Sequence, residues 1–233
     1  MKGKIYLIPT PLGDDALHTI PPYVIEIIHG LDTFIVERAK TARHFIKATL
    51  PPYPLSNVTV FEIDEHAQSI DFQEITKILN TGKSIGVMSE AGCPGVADPG
   101  AIVVDWAHKN GFEVMPLVGP SSILLALMGS GFNGQSFQFH GYLSAKRGEI
   151  GKDLKRLEDV VKRTKQTQIF IETPYRNKAL IEAALVTLQP NTKLCIAADL
   201  TTPPQYLVTK TIAEWKKTTL PDLHKRPAIF LMG

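Results

Sequence analysis

Short runs of branched apolar residues alternate along the chain with longer stretches in which apolar positions recur every three or four residues. The short runs suit pleated strands, where β-branched side chains pack well, and the longer stretches suit helices with one apolar stripe. In order, they predict strand 4–8, helix 21–29, strand 33–37, helix 40–49, strand 58–62, helix 72–80, strand 84–88, helix 101–110 and strand 112–117. Gly82 and Gly111 fall where helix C-caps are expected. Helices between successive strands carry the chain back over a sheet, so this sheet is expected to be mainly parallel.

After Pro120 the pattern changes. A small-residue helix, 121–130, leads into Gly129-Ser130-Gly131-Phe132-Asn133-Gly134, a run of turn formers that reads as a linker. Two α/β domains are expected, at 1–118 and 119–233. The second block predicts strand 137–141, helix 152–163, strand 168–172, helix 176–188, strand 194–198, a strand pair at 206–210 and 228–232, and a short helix at 212–217. Consecutive strands without a long helix between them imply a mixed sheet.

Composition narrows the class. At 233 residues, 44% hydrophobic and 21% charged, the chain can bury ordinary soluble cores. No stretch approaches the roughly 20 apolar residues that span a bilayer, so no membrane association is expected. Met1-Lys2-Gly3-Lys4 runs straight into Ile5–Ile8, which is too short for a signal-peptide core, so a cytoplasmic protein is expected. Cys93 and Cys195 have no ligand-like spacing, so no metal is expected either. A net charge of +2 does not announce a nucleic-acid binder. Cations do cluster at Lys146-Arg147 and at Lys152, Lys155, Arg156, Lys162, Arg163 and Lys165, a pattern that also fits a merely solvated helix face.

Three loops follow predicted strands at their C-terminal ends, where open α/β sheets bind ligands. They are Pro9-Thr10-Pro11-Leu12-Gly13-Asp14, Ser89 through Gly100, and Val118-Gly119-Pro120-Ser121-Ser122. All are poor in bulky side chains, so a ligand can approach main-chain groups closely, and they are expected to cluster in space. The second, at twelve residues, exceeds the usual connection of about 2–6. No GxGxxG, GxxxxGK[ST] or GxSxG is present, so neither dinucleotide, P-loop nor hydrolase chemistry is indicated.

These loops, in this order and spacing, resemble the tetrapyrrole-methylase superfamily, and within it the ribosomal RNA small-subunit methyltransferase I branch. That branch reads Pro-Thr-Pro-Ile-Gly-Asn at Pro9–Asp14, Ser-Asp-Ala-Gly-Thr-Pro and Ser-Asp-Pro-Gly across Ser89–Gly100, and Pro-Gly-Pro-Ser at Val118–Ser121. Its Gly-Phe-Leu-Pro-Arg-Lys is similar to Gly141–Lys146, and its Glu-Ser-Pro-His-Arg to Glu172–Arg176. The resemblance implies a homodimer of two-domain subunits, a class III S-adenosylmethionine-dependent methyltransferase, with the cofactor folded in a cleft between domains. It implies cofactor contacts at Pro11, Leu12, Ala91, Gly92, Cys93, Val96, Ser121, Ser122, Thr173 and Ala198. It also implies a methyl acceptor at a ribose 2′-hydroxyl of 16S ribosomal RNA in the small subunit.

The chain departs from the branch on the presumed acceptor side. Glu-Asp-Thr-Arg becomes Glu37-Arg38-Ala39-Lys40, Arg-Glu-Leu-Thr-Lys becomes Ala198-Asp199-Leu200-Thr201-Thr202, and Gly-Glu before the last strand becomes Arg226-Pro227. Methyl transfer from a sulfonium is an in-line displacement, so positioning can supply roughly 7–11 kcal/mol of the barrier without a covalent intermediate. A hydroxyl acceptor gains from a proton acceptor. Glu37 and Glu90 are the candidates, each also readable as a helix-end or surface charge. Arg38, Arg43, Lys146 and Arg147 are candidates for RNA phosphate, and His44 is expected to be structural or exposed. Two other functions share these residues: methylation of a tetrapyrrole or other small molecule, and a non-catalytic nucleoside-binding module.

Overall fold

The structure, a computed structural model, describes residues 2–63, 70–144 and 148–233. The chain divides into two compact units, Met1–Ser121 and Ser122–Gly233, each built on a five-stranded sheet.

The first unit contains β1 (Lys4–Ile8), α1 (Pro22–His29), β2 (Thr33–Val36), α2 (Ala39–Ala48), β3 (Thr59–Glu62), α3 (Phe72–Asn80), β4 (Ile85–Met88), α4 (Gly100–Lys109) and β5 (Glu113–Pro116). All its pairings are parallel, in the order β3-β2-β4-β1-β5. Period-2 alternation along each strand feeds two cores on opposite faces. Tyr6, Ile8, Phe34, Val36 and Met88 pack with α1 and α2, whereas Ile5, Leu7, Ile35, Ile85 and Val87 pack with α3 and α4. Gly86, on the first of these faces, must stay small, since a Cβ there would lie 2.6 Å from Ile8 Cδ1 and 2.7 Å from Phe34 Cδ1. Gly82 and Gly111, one residue past the caps of α3 and α4, take φ of 92° and 65°, the left-handed turn that ends a helix.

The second unit contains α5 (Ser122–Ser130), β6 (Phe137–Tyr142), α6 (Ile150–Thr164), β7 (Thr167–Ile171), α7 (Asn177–Thr187), β8 (Lys193–Ala198), β9 (Tyr206–Thr211), α8 (Ile212–Trp215) and β10 (Ala228–Met232). Its sheet is mixed: β6 and β7 are parallel, and the remaining pairs in the order β6-β7-β10-β8-β9 are antiparallel. The two strands expected to pair, β9 and β10, each pair with β8 instead, because the long connection from Lys216 to Pro227 returns the chain across the sheet. The run 129–134 is a turn inside this unit and not a linker. Helix α5 is anchored to it by Thr209 Oγ1, which donates to the Ser130 carbonyl (2.8 Å), and Gly129 lets Leu207 press against the helix. Leu154, Leu157, Leu180, Ile181 and Trp215 close the core over Phe170, Ile196 and Phe230, with the Trp215 indole N–H donating to the Leu194 carbonyl at 2.9 Å.

Gly86→Val should destabilise the first unit by about 1–3 kcal/mol through overpacking against Ile8 and Phe34. Denaturant unfolding checks this, and an unchanged midpoint would contradict the packing described.

Candidate functional site

The connection after β1 passes over one face of the sheet and that after β4 over the other, because α1 and α4 belong to opposite cores. β1 and β4 are neighbours, so their loops part at a topological switch point, the place where such sheets leave a crevice. Here the two loops are tied together. Thr10 and Gly92 exchange both backbone hydrogen bonds, at 2.9 and 3.0 Å, as a single antiparallel bridge, and the buried Thr10 hydroxyl donates to the Ser89 carbonyl at 3.2 Å. The third loop, after β5, joins them. Cys93 Sγ–H donates to the Pro120 carbonyl at 3.4 Å, and Gly119 lies so close to Pro9 that a Cβ would sit 2.2 Å from its ring. The three loops therefore form one cluster, as their positions after strands predict.

Within the long loop, Asp98 Oδ1 accepts the N–H groups of Gly95 and Gly100, both at 2.7 Å. It thus fastens the loop and the first turn of α4 at once. Gly92 and Gly95 take φ of 80° and 81°, which glycine adopts at no steric cost. Burial raises the Asp98 carboxyl above its ordinary range, against the two N–H bonds and the nearby Ser89 hydroxyl. Burial also raises the Cys93 thiol, with a contribution from Asp98, so Cys93 stays protonated near neutrality and serves as a donor rather than a nucleophile.

A cavity of about 260 Å³ opens beside the cluster. Its walls include Thr10, Pro11 and Leu12 from the first loop, Ser89, Glu90 and Ala91 from the second, and Thr41, His44 and Phe45 from α2. Of the expected cofactor contacts, Pro11, Leu12 and Ala91 line it, while Gly92 and Cys93 hold its rim in place. Val96 is exposed on the same loop, and Ser121 ends the first unit.

Glu37 stands directly after β2, and its Oε1 accepts the Glu90 N–H at 3.1 Å. Its carboxyl is raised, first by burial, opposed by that hydrogen bond, and further by the negative charges of Asp98 and Glu90. Glu90 Oε2 accepts from Thr41 Oγ1 at 3.3 Å and lies 4.0 Å from the exposed Arg38 guanidinium. The two candidate acids are thus adjacent, one half-buried and one on the cavity wall. Along α2, the exposed Arg38, Lys40, Arg43, His44 and Lys47 line a single groove, and Thr41 and His44 belong to both groove and cavity. Sequence reasoning singled out Arg38 and Arg43 but missed Lys40, Lys47 and the lining role of Thr41 and His44. The i, i+3, i+4, i+7 spacing of Lys40, Arg43, His44 and Lys47 on a helix free of acids was the available signal. Lys146 and Arg147 lie outside the described residues.

On the second unit, Ser122 begins α5, Thr173 follows β7 and Ala198 ends β8. Thr173 is held by its neighbours: its N–H donates to Glu172 Oε1 at 2.7 Å, and its carbonyl accepts the Arg176 N–H at 2.8 Å. The buried Glu172 pairs with Arg176 at 2.7 Å. Two of the departures noted from sequence meet here: Asp199, with φ of 47°, pairs with the Arg226 guanidinium, which also donates to the Asp222 and Pro204 carbonyls. A loss of one pattern and a gain of another thus make a single partly buried ion pair.

Among the described residues no cluster of His, Cys, Asp or Glu could hold a metal ion, and no helix is long and apolar enough to cross a membrane.

A parallel sheet carrying glycine- and proline-rich loops at its switch point, joined to a mixed-sheet unit, is a two-unit α/β architecture of the class that binds ligands at that crevice. The tetrapyrrole (corrin/porphyrin) methylase family matches this chain over residues 4–216, and the chain belongs to that family. Ribosomal RNA small subunit methyltransferase I of Bacillus subtilis (strain 168) is 30% identical over 213 residues, covering 91% of this chain and 68% of the relative. The protein of the same name from Vibrio cholerae is 32% identical over 197 residues, covering 84% and 65%. The chain therefore spans about two thirds of the length of these relatives. Among solved structures, the methyltransferase CobJ has a TM-score of 0.63 at 18% identity, covering 99% of this chain and 94% of the other. Uroporphyrin-III-C-methyltransferase from Thermus thermophilus has a TM-score of 0.54 at 17% identity, covering 100% and 93%. These likenesses establish the tetrapyrrole-methylase fold, and with the family they make the chain a methyltransferase of the S-adenosylmethionine-dependent class.

The raised carboxyl of Asp98 has a stability consequence with a definite sign. Between its unfolded and folded values the native state holds more protons than the unfolded chain, so stability falls as pH rises through that window. Asp98→Asn keeps an oxygen for Gly95 and Gly100 but cannot ionise. The variant should lose less stability than the parent as pH rises above about 4, the ordinary aspartate value, as read from denaturant midpoints at successive pH values; equal pH slopes would contradict this.

Proposed function

We propose that this chain binds S-adenosylmethionine on the loops after β1, β4 and β5 and transfers its methyl group to ribosomal RNA of the small subunit, at a ribose 2′-hydroxyl. The observation that carries the reading is the single wall formed by Thr41 and His44, which belongs at once to the loop cavity and to the cationic groove of α2. A donor site and a polyanion track that share a wall suit an RNA acceptor better than a compact ring. The names of the relatives point the same way. By the resemblance to its branch, the protein acts as a cytoplasmic homodimer.

The residues present fit the cofactor. Pro11, Leu12, Ala91 and Phe45 offer apolar contact, Thr10, Ser89 and Thr41 offer polar groups, and the cavity falls just below ligand-pocket sizes of about 300–1,000 Å³. The resemblance adds Ser121, Ser122, Thr173 and Ala198 to the proposed contact set. When bound, S-adenosylmethionine supplies an activated methyl group on a sulfonium.

The protein's own part is to hold the acceptor and take its proton. Arg38, Lys40, Arg43 and Lys47 can each take a phosphate oxygen, fixing the register of the strand without reading its bases. Glu37 is the better proton acceptor of the two acids. Its raised carboxyl lies closer to neutrality, which favours general-base work, and the Glu90 N–H orients it. Glu90, on the cavity wall and bonded to Thr41, positions α2 against the loop.

Glu37→Gln should lower kcat by about 10²–10⁴-fold with little change in cofactor affinity, measured by steady-state transfer and calorimetry; an unchanged kcat would remove Glu37 from the role. The function itself is tested with labelled S-adenosylmethionine and 30S subunits or naked 16S RNA from a strain lacking the gene. Ribose label is expected. Cofactor binding without RNA label would favour a small-molecule acceptor, and no cofactor binding would leave the nucleoside-binding reading without support as well.

A further inference from the structure

Helix α6 of the second unit carries a second cationic surface, far in sequence from the groove on α2. Lys152, Lys155, Arg156, Asp159, Lys162 and Arg163 line one groove along it, and all six are exposed. Their spacing keeps them on one face over twelve residues, which is about 18 Å of helix. The other two acids of the helix are turned to structural work. Asp153 accepts the Ser144 N–H at 3.0 Å, and buried Glu158 accepts the Gln189 N–H at 2.7 Å and the Thr192 hydroxyl at 2.5 Å. The groove is left with five cations against Asp159 alone. Arg156 and Lys162 reach back to Asp153 and Glu158, at 3.4 and 2.8 Å, while Lys152, Lys155 and Arg163 have no ion pair among the described residues.

Folding does not call for this arrangement. Lys152 stands in the first turn of α6, where the helix dipole disfavours a cation, and its i+3 and i+4 neighbours on the face are Lys155 and Arg156, like charges that repel it. A solvated helix face with no partner would gain from mixing its signs, as α4 does with Asp105 and Lys109. Lysine and arginine on one exposed stripe are instead the side chains that bind phosphate.

We propose that this face of α6 is an RNA-docking surface, which grips the phosphates of a ribosomal RNA strand and adds affinity without base readout. The inference rests on the ribosomal RNA reading above and assigns that substrate a second contact region on the protein. Removing three phosphate contacts lowers the salt dependence of binding by a slope of about 2, at roughly 0.7 per phosphate for single strands.

The test is filter binding of the full chain to 16S RNA and to 30S subunits over a salt series. The variant is Lys152→Glu, Lys155→Glu and Arg163→Glu together; glutamate is as good a helix former as lysine and improves the first turn, and circular dichroism checks folding. A second triple variant with Gln at the three positions tests neutralisation without reversal. Both should bind RNA more weakly, on the order of 10–100-fold near 0.1 M salt for the Glu variant, with a shallower salt slope and unchanged S-adenosylmethionine affinity. Parent-like affinity and slope in the folded Gln variant would overturn the proposal. Arg43→Glu with Lys47→Glu, on α2, separates the two readings. Loss of binding there with none on α6 leaves the substrate assignment standing and removes this surface, whereas a parent that binds no RNA overturns both.

Discussion

The site depends on one small interaction, the paired backbone hydrogen bonds between Thr10 and Gly92. β1 and β4 are adjacent, but their chains leave toward opposite faces, which would splay the loops apart. The bridge holds them together just beyond the strand ends, and the buried Thr10 hydroxyl adds a third tie to Ser89. Cys93 and Pro120 then bring in the loop after β5. Four neutral main-chain and side-chain bonds of this kind are each worth about 1 kcal/mol net. Their value lies in fixing where backbone groups and small side chains stand before any ligand arrives, which lowers the ordering cost of binding.

Charge is distributed around this frame in two zones. Glu37, Glu90 and Asp98 gather at the loops, where burial and mutual repulsion raise Glu37 and burial raises Asp98. The cations gather along α2, from Arg38 to Lys47, with Arg38 the nearest to Glu90. An acid whose carboxyl is raised, beside a cationic track, is the arrangement on which the proposed RNA acceptor rests: cations to draw in a polyanion and a carboxylate to take one proton from it.

Much of the fold was legible because local patterns and tertiary structure agree. Helix 72–80 and strands 4–8 and 228–232 stand as predicted, and the loops at Pro9, Ser89 and Val118 announced themselves by glycine and proline at strand ends. What was hidden depends on distance along the chain. Nothing local says that β8 runs between β9 and β10, nor that 129–134 turns within a unit, because α5 belongs to the second sheet only through Leu207 and Thr209. Asp199 and Arg226 looked like two independent departures and prove to be partners. Glu37 and Glu90 were chosen singly, and their contact, 53 positions apart, emerges only when β2 and β4 pair. Asp98 proves to be a clasp on Gly95 and Gly100, a role set by the folded loop.

Amide hydrogen exchange with and without S-adenosylmethionine tests most directly that the three tied loops are the donor site. The account predicts new protection in residues 9–14, 89–96 and 118–121, with the first-unit strands already protected in its absence. Cofactor binding that leaves these three segments unprotected, or protects only other parts of the chain, would contradict it.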